Sequence, residues 1–293
     1  MQITRSSCRS FLDIRENCTY HPERRRGAIE GEEPSLKQHV RIIDLSLPLE
    51  NYATEPYPPT ITYFDHRAGA CRLGGLANVD PQDFPQGLAL ASEMITTGAH
   101  SGTHVDAPWH YGPESEGRAA RTIDEVPLEW LYGPGVVLDM VHKEPGSEIT
   151  ADDVRDALDR IDHELKPEDK VLIRTGADRY WGSSSYLPMQ SGLGVEATAF
   201  ILERGVKAIG IDAWGLDRPV TKMAEAYAKG DKTALWPSHF YGRTKEYVQV
   251  EKLANLDQIP APVGFTFSAL PVKIDRASGG WCRAVAIVEQ EVE

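Results

Sequence analysis

Three histidines and an aspartate fall within eleven residues, although the whole chain contains only nine histidines. The stretch reads His100-Ser-Gly-Thr-His104-Val-Asp106-Ala-Pro-Trp-His110. Imidazole and carboxylate groups are the usual protein ligands of a borderline divalent ion such as zinc or manganese. Gly102 and Pro108 disfavour a continuous helix, and no glutamate follows the first histidine, so this is not the helical zinc motif of metalloproteases. We predict that a tight loop after a strand turns His100, His104 and Asp106 toward one point.

The same eleven residues resemble the HxGTHxDxPxH signature of the cyclase-like metal-dependent hydrolases. That family includes bacterial kynurenine formamidase, isatin hydrolase and a zinc-dependent dienelactone hydrolase. The resemblance continues over most of the chain from Ile43 onward, in segments 43–49, 169–176, 205–212, 237–239 and 250–256. It implies a single α/β domain built on a mixed, strand-rich sheet of the swivelling β/β/α type.

The resemblance also implies a set of five metal ligands. His100, His104 and Asp106 come from the signature, while His239 and Glu251, twelve residues apart, match the distal histidine and glutamate of the formamidase-like members. Isatin hydrolases commonly have glutamine at the glutamate position and hold one metal. Glu251 therefore favours a two-metal site bridged by Asp106 and Glu251. Zinc is the expected ion and manganese the alternative, with one or two ions per protomer.

The implied reaction is hydrolysis of an amide, a cyclic amide or a lactone in a small-molecule substrate. Divalent ions lower the pKa of bound water toward neutrality and polarise a carbonyl oxygen. His110 matches the histidine that serves the family as a proton shuttle, and a pKa near 6.5 suits that role. Tyr57, in a proline-rich stretch where relatives have a substrate-covering loop, and the tryptophans Trp109 and Trp214 are candidate substrate contacts.

Two other functions remain open from the sequence. A dehydratase or cyclase would use the same metal site for proton abstraction. A non-catalytic binding protein would be stabilised by its metal without turnover, and a closed ligand set with no position for water would favour it. His110, a spare basic group beside the ligand loop, favours the hydrolase.

Hydrophobic periodicity predicts the elements that must position these residues. Candidate strands lie at 40–47, 88–97, 135–141, 170–175, 207–212, 247–250, 263–267, 271–274 and 284–288. Apolar residues at helical spacing predict helices over 150–165 and 195–204. Thr150, followed by Asp153, is a candidate N-cap for the first of these helices. The strand–helix–strand order between 170 and 212 predicts a parallel pair with a right-handed crossover.

Composition excludes several classes of function. The chain has 31 basic and 44 acidic residues, a formal charge of −13, which is not the footprint of a nucleic-acid-binding protein. No apolar run approaches the ~20 residues that span a bilayer, and the first residues lack a signal-peptide core. The four cysteines are scattered without a CxxC pair. This favours a reducing, cytoplasmic location.

The chain divides into two parts. Residues 1–39 contain Arg24–Arg26 and no sustained hydrophobic period, so we interpret them as an N-terminal extension or arm. Residues 40–293 form the metal-dependent hydrolase domain. Since an arm buries little surface by itself, we expect a homodimer or homotetramer in which the arm or the Tyr57 loop reaches a neighbouring site.

Overall fold

The computed structural model describes residues 38–51 and 55–291. In these ranges the strands are β1 (Gln38–Asp44), β2 (Thr60–Phe64), β3 (Ser92–Thr96), β4 (His104–Asp106), β5 (Glu114–Ser115), β6 (Arg118–Ala119), β7 (Tyr132–Asp139), β8 (Glu148–Ile149), β9 (Lys170–Arg174), β10 (Gly192–Leu193), β11 (Ala208–Ile211), β12 (Val248–Glu251), β13 (Phe265–Ser268), β14 (Gly279–Trp281) and β15 (Val285–Glu291). The helices are α1 (His66–Ala77), α2 (Pro108–Tyr111), α3 (Ala151–Arg160), α4 (Val195–Leu202), α5 (Val220–Ala228) and α6 (Pro237–Tyr241). The predicted arm lies outside the described residues, except that residues 38 and 39 begin β1.

Nine of these strands form one mixed sheet in the order β1-β15-β13-β7-β9-β11-β12-β4-β14. The four central strands β7, β9, β11 and β12 run parallel, and antiparallel strands flank them on both sides. Buried side chains cover both faces of the sheet, with α3 and α4 contributing to one of the two apolar clusters. This is the mixed, strand-rich α/β architecture that the sequence predicts.

The predicted parallel pair around α4 is present. Strands β9 and β11 pair in register from Lys170 opposite Ala208 to Ile173 opposite Ile211. Parallel strands need a long connection, and α4 lies in the connection between these two. The helix packs Ile201 and Leu202 into the core. Burying each such side chain stabilises the fold by roughly 1.5–3 kcal/mol.

Helix α3 begins as predicted and ends earlier than predicted. Thr150 and Asp153 form the reciprocal capping box at its start. At its other end Asp162 takes a left-handed φ of 49°, and the N–H of His163 donates to the carbonyl of Leu158. The helix therefore stops at Arg160 rather than at residue 165.

The principal correction concerns the signature itself. His104 and Asp106 do not lie in a loop but on β4, between β12 and β14 near the edge of the main sheet. Val105 is completely buried, and the strand alternation places the two ligand side chains together on the opposite face. Gly279 pairs with Asp106, and a Cβ there would approach the His100 ring to 2.7 Å, so glycine allows β14 to pack against the signature.

Two other predicted strands differ from the structure. The 88–97 segment contributes only β3, which pairs with β2 in a separate two-stranded sheet. The 271–274 segment forms only one bridge, between Pro271 and Cys282. Proline lacks the N–H that a ladder needs, which limits pairing at this point.

Helix α1, with twelve residues, is the longest helix of the described ranges. No helix in those ranges is long and apolar enough to cross a membrane.

Candidate metal centre and catalytic site

The five predicted ligands come from four segments that meet at the carboxyl end of β12. Glu251 ends β12 and pairs with His104 of β4, and Asp106 follows two residues along the same strand. His239 lies on the short helix α6, and His100 lies in the loop before β4. Ligand atoms of His104, Asp106 and Glu251 all lie within 4.8 Å of one another.

The two carboxylates lie between two sets of imidazoles. His104 Nε2 is 3.1 Å from Asp106 Oδ1 and 3.7 Å from Glu251 Oε2. On the other side, His239 Nε2 is 3.7 Å from Asp106 Oδ2 and 3.6 Å from Glu251 Oε1. His100 Nδ1 is 2.6 Å from Asp106 Oδ1, on the His104 side. Each carboxylate therefore presents one oxygen to each set.

Each histidine has its outer nitrogen occupied by another group. His104 Nδ1 donates to the Gly102 carbonyl at 2.9 Å, and His239 Nδ1 donates to Asp217 Oδ2 at 2.5 Å. His100 Nε2 lies 2.9 Å from the Ser278 hydroxyl. Such contacts fix the tautomer and orient the opposite nitrogen as a ligand. In all three rings that opposite nitrogen faces the carboxylates.

Two adjacent buried carboxylates need positive charge nearby, and their pKa values report how far the neighbouring imidazoles provide it. Burial raises the pKa of Glu251, and the neighbouring Asp106 raises it further. Burial alone would also raise the pKa of Asp106, but the imidazoles of His110, His100 and His104 together hold it well below its usual range. Despite its burial, the pKa of His239 rises to about 9, mainly through its hydrogen bond to Asp217. A divalent cation beside the two buried carboxylates would supply the positive charge that neutral imidazoles do not.

The residues present fit a divalent metal. His104 Nε2 and Asp106 Oδ2 are buried and have no hydrogen-bond partner among the described residues. A buried polar atom without a partner is costly, and a metal ion would satisfy both atoms. The donor set of imidazoles and carboxylates suits zinc or manganese.

His110 lies beside these ligands on α2. Its ring centroid is 4.1 Å from that of His100 and 5.6 Å from that of His239. The residue keeps access to solvent, yet desolvation of the ring lowers its pKa to about 4, and the neighbouring imidazoles act in the same direction. His110 is therefore neutral at pH 7, and its pKa lies below the value near 6.5 that the sequence predicted for a proton shuttle.

A cavity of about 360 Å³ opens onto this cluster. Two of the three predicted substrate contacts, Tyr57 and Trp214, line it together with Trp236 and Met223. Tyr57 is 84% exposed at its border. The structure corrects the prediction for Trp109, which does not line the cavity. Trp109 follows the proline that begins α2 and donates its backbone N–H to the Arg121 carbonyl. The residue remains 45% exposed.

A buried ion pair that sequence reasoning missed joins the Tyr57 segment to the signature. Lys252 and Glu55 both line the cavity, and each side chain is only 3% exposed. Lys252 Nζ lies 3.2 Å from Glu55 Oε1 and donates to the His100 carbonyl at 2.7 Å. The same Glu55 oxygen accepts the N–H of Gly102 at 2.7 Å. The pair fixes the segment before Tyr57 against the loop that carries His100.

Two aspartates near Trp214 have different roles. Asp217 accepts from His239 Nδ1 and from the N–H of Ser238 at 2.7 Å, so it orients a ligand. Asp212 instead accepts from the backbone and hydroxyl of Thr175 and from the N–H of Gly176. Its carboxylate therefore fixes the turn after β9 rather than a ligand.

A family model described as "putative cyclase" matches residues 43–218, which include the signature and the central strands. This chain belongs to the putative cyclase family. The family resemblance predicted from the signature is thereby confirmed.

Several relatives of this cyclase-family chain are named as hydrolases. Isatin hydrolase of Roseibium aggregatum is 28% identical over 214 residues, covering 69% of this chain and 76% of the relative. The solved structure of isatin hydrolase A from Labrenzia aggregata, bound to benzyl benzoate, has a TM-score of 0.66 at 25% identity, covering 86% of this chain and 94% of that one. A "potential metal-dependent hydrolase with cyclase activity" has a TM-score of 0.59 at 19% identity, covering 87% of this chain and 100% of the other, and supports the fold alone. The predicted single α/β domain is thereby confirmed.

The contact between Asp217 and His239 predicts a defect in metal binding. Asp217→Asn should lower the affinity for zinc about 10–100-fold, because the amide no longer holds the imidazole as a charged acceptor does. Competition with a chromophoric chelator measures this affinity. Asp212→Asn is the matched control. It changes a buried carboxylate that follows β11 and that touches no candidate ligand. Equal zinc affinity in Asp217→Asn and the wild type would contradict the assignment.

Proposed function

We propose that this protein is a metal-dependent hydrolase that cleaves an amide, a cyclic amide or a lactone with metal-activated water. The observation that carries the proposal is the cluster of two carboxylates and three imidazoles, which opens onto an aromatic-walled cavity beside the neutral His110. The relationship to isatin hydrolase supports a cyclic amide as one substrate class.

We assign metal binding to the five residues that meet at the sheet edge, His100, His104, Asp106, His239 and Glu251. A divalent ion held by these residues would act as a Lewis acid and would lower the pKa of bound water toward neutrality. The imidazole-rich donor set favours zinc, and manganese is the alternative. The four carboxylate oxygens favour two ions per protomer over one.

His110 is the proposed proton carrier. Neutral at pH 7, it accepts the proton that the attacking water loses, and it donates that proton to the leaving nitrogen or oxygen. Its ring lies against His100 and near His239, at the border of the cavity. Tyr57 and Trp214 contribute apolar walls that orient an aromatic substrate and displace water.

The dehydratase or cyclase alternative keeps some support from the family description and from a structural relative described as a novel cyclase. It would use the same cluster, with His110 abstracting a carbon-bound proton. The two reactions differ in their products, because only hydrolysis adds water and releases a carboxylate. A non-catalytic protein is the least consistent with a spare neutral histidine at an open cavity.

A substrate panel tests the proposal directly. The zinc- or manganese-loaded protein should hydrolyse at least one of N-formylkynurenine, isatin and a dienelactone, with one carboxylate formed per turnover. A chelator should abolish the activity and added metal should restore it. Loss of water without carboxylate formation would support the dehydratase, and no turnover of any member by metal-loaded protein would contradict the hydrolase.

Two substitutions separate metal binding from proton transfer. Asp106→Asn should remove both metal and activity, because it deletes a charge and a ligand oxygen at the centre of the cluster. His110→Ala should retain the metal but lower kcat about 10²–10⁴-fold, the usual size of a general acid–base contribution. Elemental analysis and steady-state kinetics measure the two effects. If His110→Ala empties the site, His110 is a ligand and the assignment is wrong.

We also propose that the chain forms a homodimer or homotetramer. The small sheet of β2 and β3 leaves Tyr63 and Ile95 exposed on one face, an apolar surface that a second copy would cover. Light scattering at micromolar concentration should give at least twice the mass of one chain, and a monomer mass would contradict the proposal. The cytoplasmic location remains a prediction.

A further inference from the structure

Arg218 lines the cavity and lies two residues before α5. Its two chain neighbours hold its backbone in place. Asp217 is bound through its side chain to His239 and through its carbonyl to Gln190 at 2.7 Å. Pro219 precedes α5 and restricts the residue before it to an extended conformation. Arg218 is therefore positioned by the same residue that orients a candidate metal ligand.

The guanidinium of Arg218 has donors that the protein does not use. Its nearest acidic neighbour is Glu148, with 4.0 Å between Arg218 Nε and Glu148 Oε2, too long for a hydrogen bond. None of the described residues accepts a hydrogen bond from this side chain, although it is only 22% exposed. Arg179 and Arg243, by contrast, each donate through Nε to a backbone carbonyl. A half-buried guanidinium with unused donors is costly unless a ligand accepts from it.

Other side chains along the cavity make this charge distinctive. Trp214, Trp236 and Met223 line the same cavity and carry no charge. The acidic side chains that line it, Glu55, Asp217 and Glu251, are bound by Lys252, His239 and the Leu216 N–H respectively. Lys252, also at the cavity, is already occupied by Glu55 and the His100 carbonyl. Since the chain as a whole carries a formal charge of −13, its general field repels anions. Arg218 thus provides a local positive charge beside an aromatic wall.

We propose that Arg218 forms an anion subsite, and that the ligand of this cavity is an aromatic compound carrying a carboxylate remote from the bond at the metal centre. The planar guanidinium matches a carboxylate with two parallel hydrogen bonds, and the aromatic ring between them packs against Trp214 and Trp236. Anion binding at Arg218 does not depend on the proposed function. Only the reaction at the other end of the ligand rests on it.

A matched pair of substrates tests this subsite. Formanilide is neutral, and 4-formamidobenzoate adds one carboxylate opposite the formyl group. The preference for the anion is the ratio of its kcat/KM to that of the neutral compound. We expect Arg218→Met to lower this ratio about 10–100-fold, because a charge-assisted hydrogen bond contributes a factor of that size. Arg218→Lys should recover part of the ratio.

Glu148→Gln is the control for a purely structural role. If Arg218 served only to pair with Glu148, the two substitutions would change the ratio alike. We expect Glu148→Gln to keep the preference for the anion. A ratio unchanged in Arg218→Met, or lost equally in Glu148→Gln, would overturn the subsite.

Binding without turnover separates this inference from the proposed function. Quenching of tryptophan fluorescence in the metal-loaded protein by benzoate, with benzamide as the neutral comparison, reports occupancy beside Trp214 and Trp236. Benzoate affinity that falls about tenfold in Arg218→Met supports the subsite even if no formamide is hydrolysed, in which case the hydrolase proposal alone fails. Equal benzoate affinity in both proteins overturns the subsite even if hydrolysis is observed.

Discussion

Two buried carboxylates held side by side, Asp106 and Glu251, impose the constraint on which the rest of this site depends. Neither can remain charged in the interior without nearby positive charge, because an uncompensated buried ion costs several kcal/mol. The chain surrounds them with imidazoles and anchors the outer nitrogens of His100, His104 and His239 to groups that lie outside the cluster. The result is a set of inward-facing lone pairs and negative oxygens, which is the arrangement that a divalent ion neutralises.

The fold satisfies this constraint through strand register rather than through local motif geometry. Pairing of β4 with β12 brings Glu251 opposite His104, two segments about 150 residues apart in sequence. Asp217 then connects this cluster to the cavity, since it holds His239 and precedes Arg218. On the opposite side the buried Lys252–Glu55 pair ties the Tyr57 segment to the ligand loop. Small displacements of these supports would therefore alter metal binding and cavity shape together.

The ligand types could be predicted from the sequence because three histidines and an aspartate in eleven residues are rare, and the resemblance to the formamidase-like members supplied His239 and Glu251. The strand at His104–Asp106 could not, because three residues carry no period and their partners in β12 and β14 are distant in the chain. Ser278 and Arg218 could not be predicted either, because the groups beside them, such as His100 beside Ser278, are distant in the chain. Helix α1 was missed because its glycines weaken helical propensity, whereas Gly69 and Gly74 allow close packing against Leu90 and Val79. Trp109 was assigned on residue type alone, which does not fix orientation.

The number of ions that the paired carboxylates hold tests the account most directly. Electron paramagnetic resonance of the manganese-loaded protein, combined with calorimetric stoichiometry, counts the ions and detects whether they are coupled. The account predicts two coupled ions per protomer in the wild type, and one uncoupled ion in Glu251→Gln, which retains the shape of the side chain but loses its charge. A single ion in the wild type, unchanged by Glu251→Gln, would contradict the claim that Asp106 and Glu251 jointly hold the metal centre.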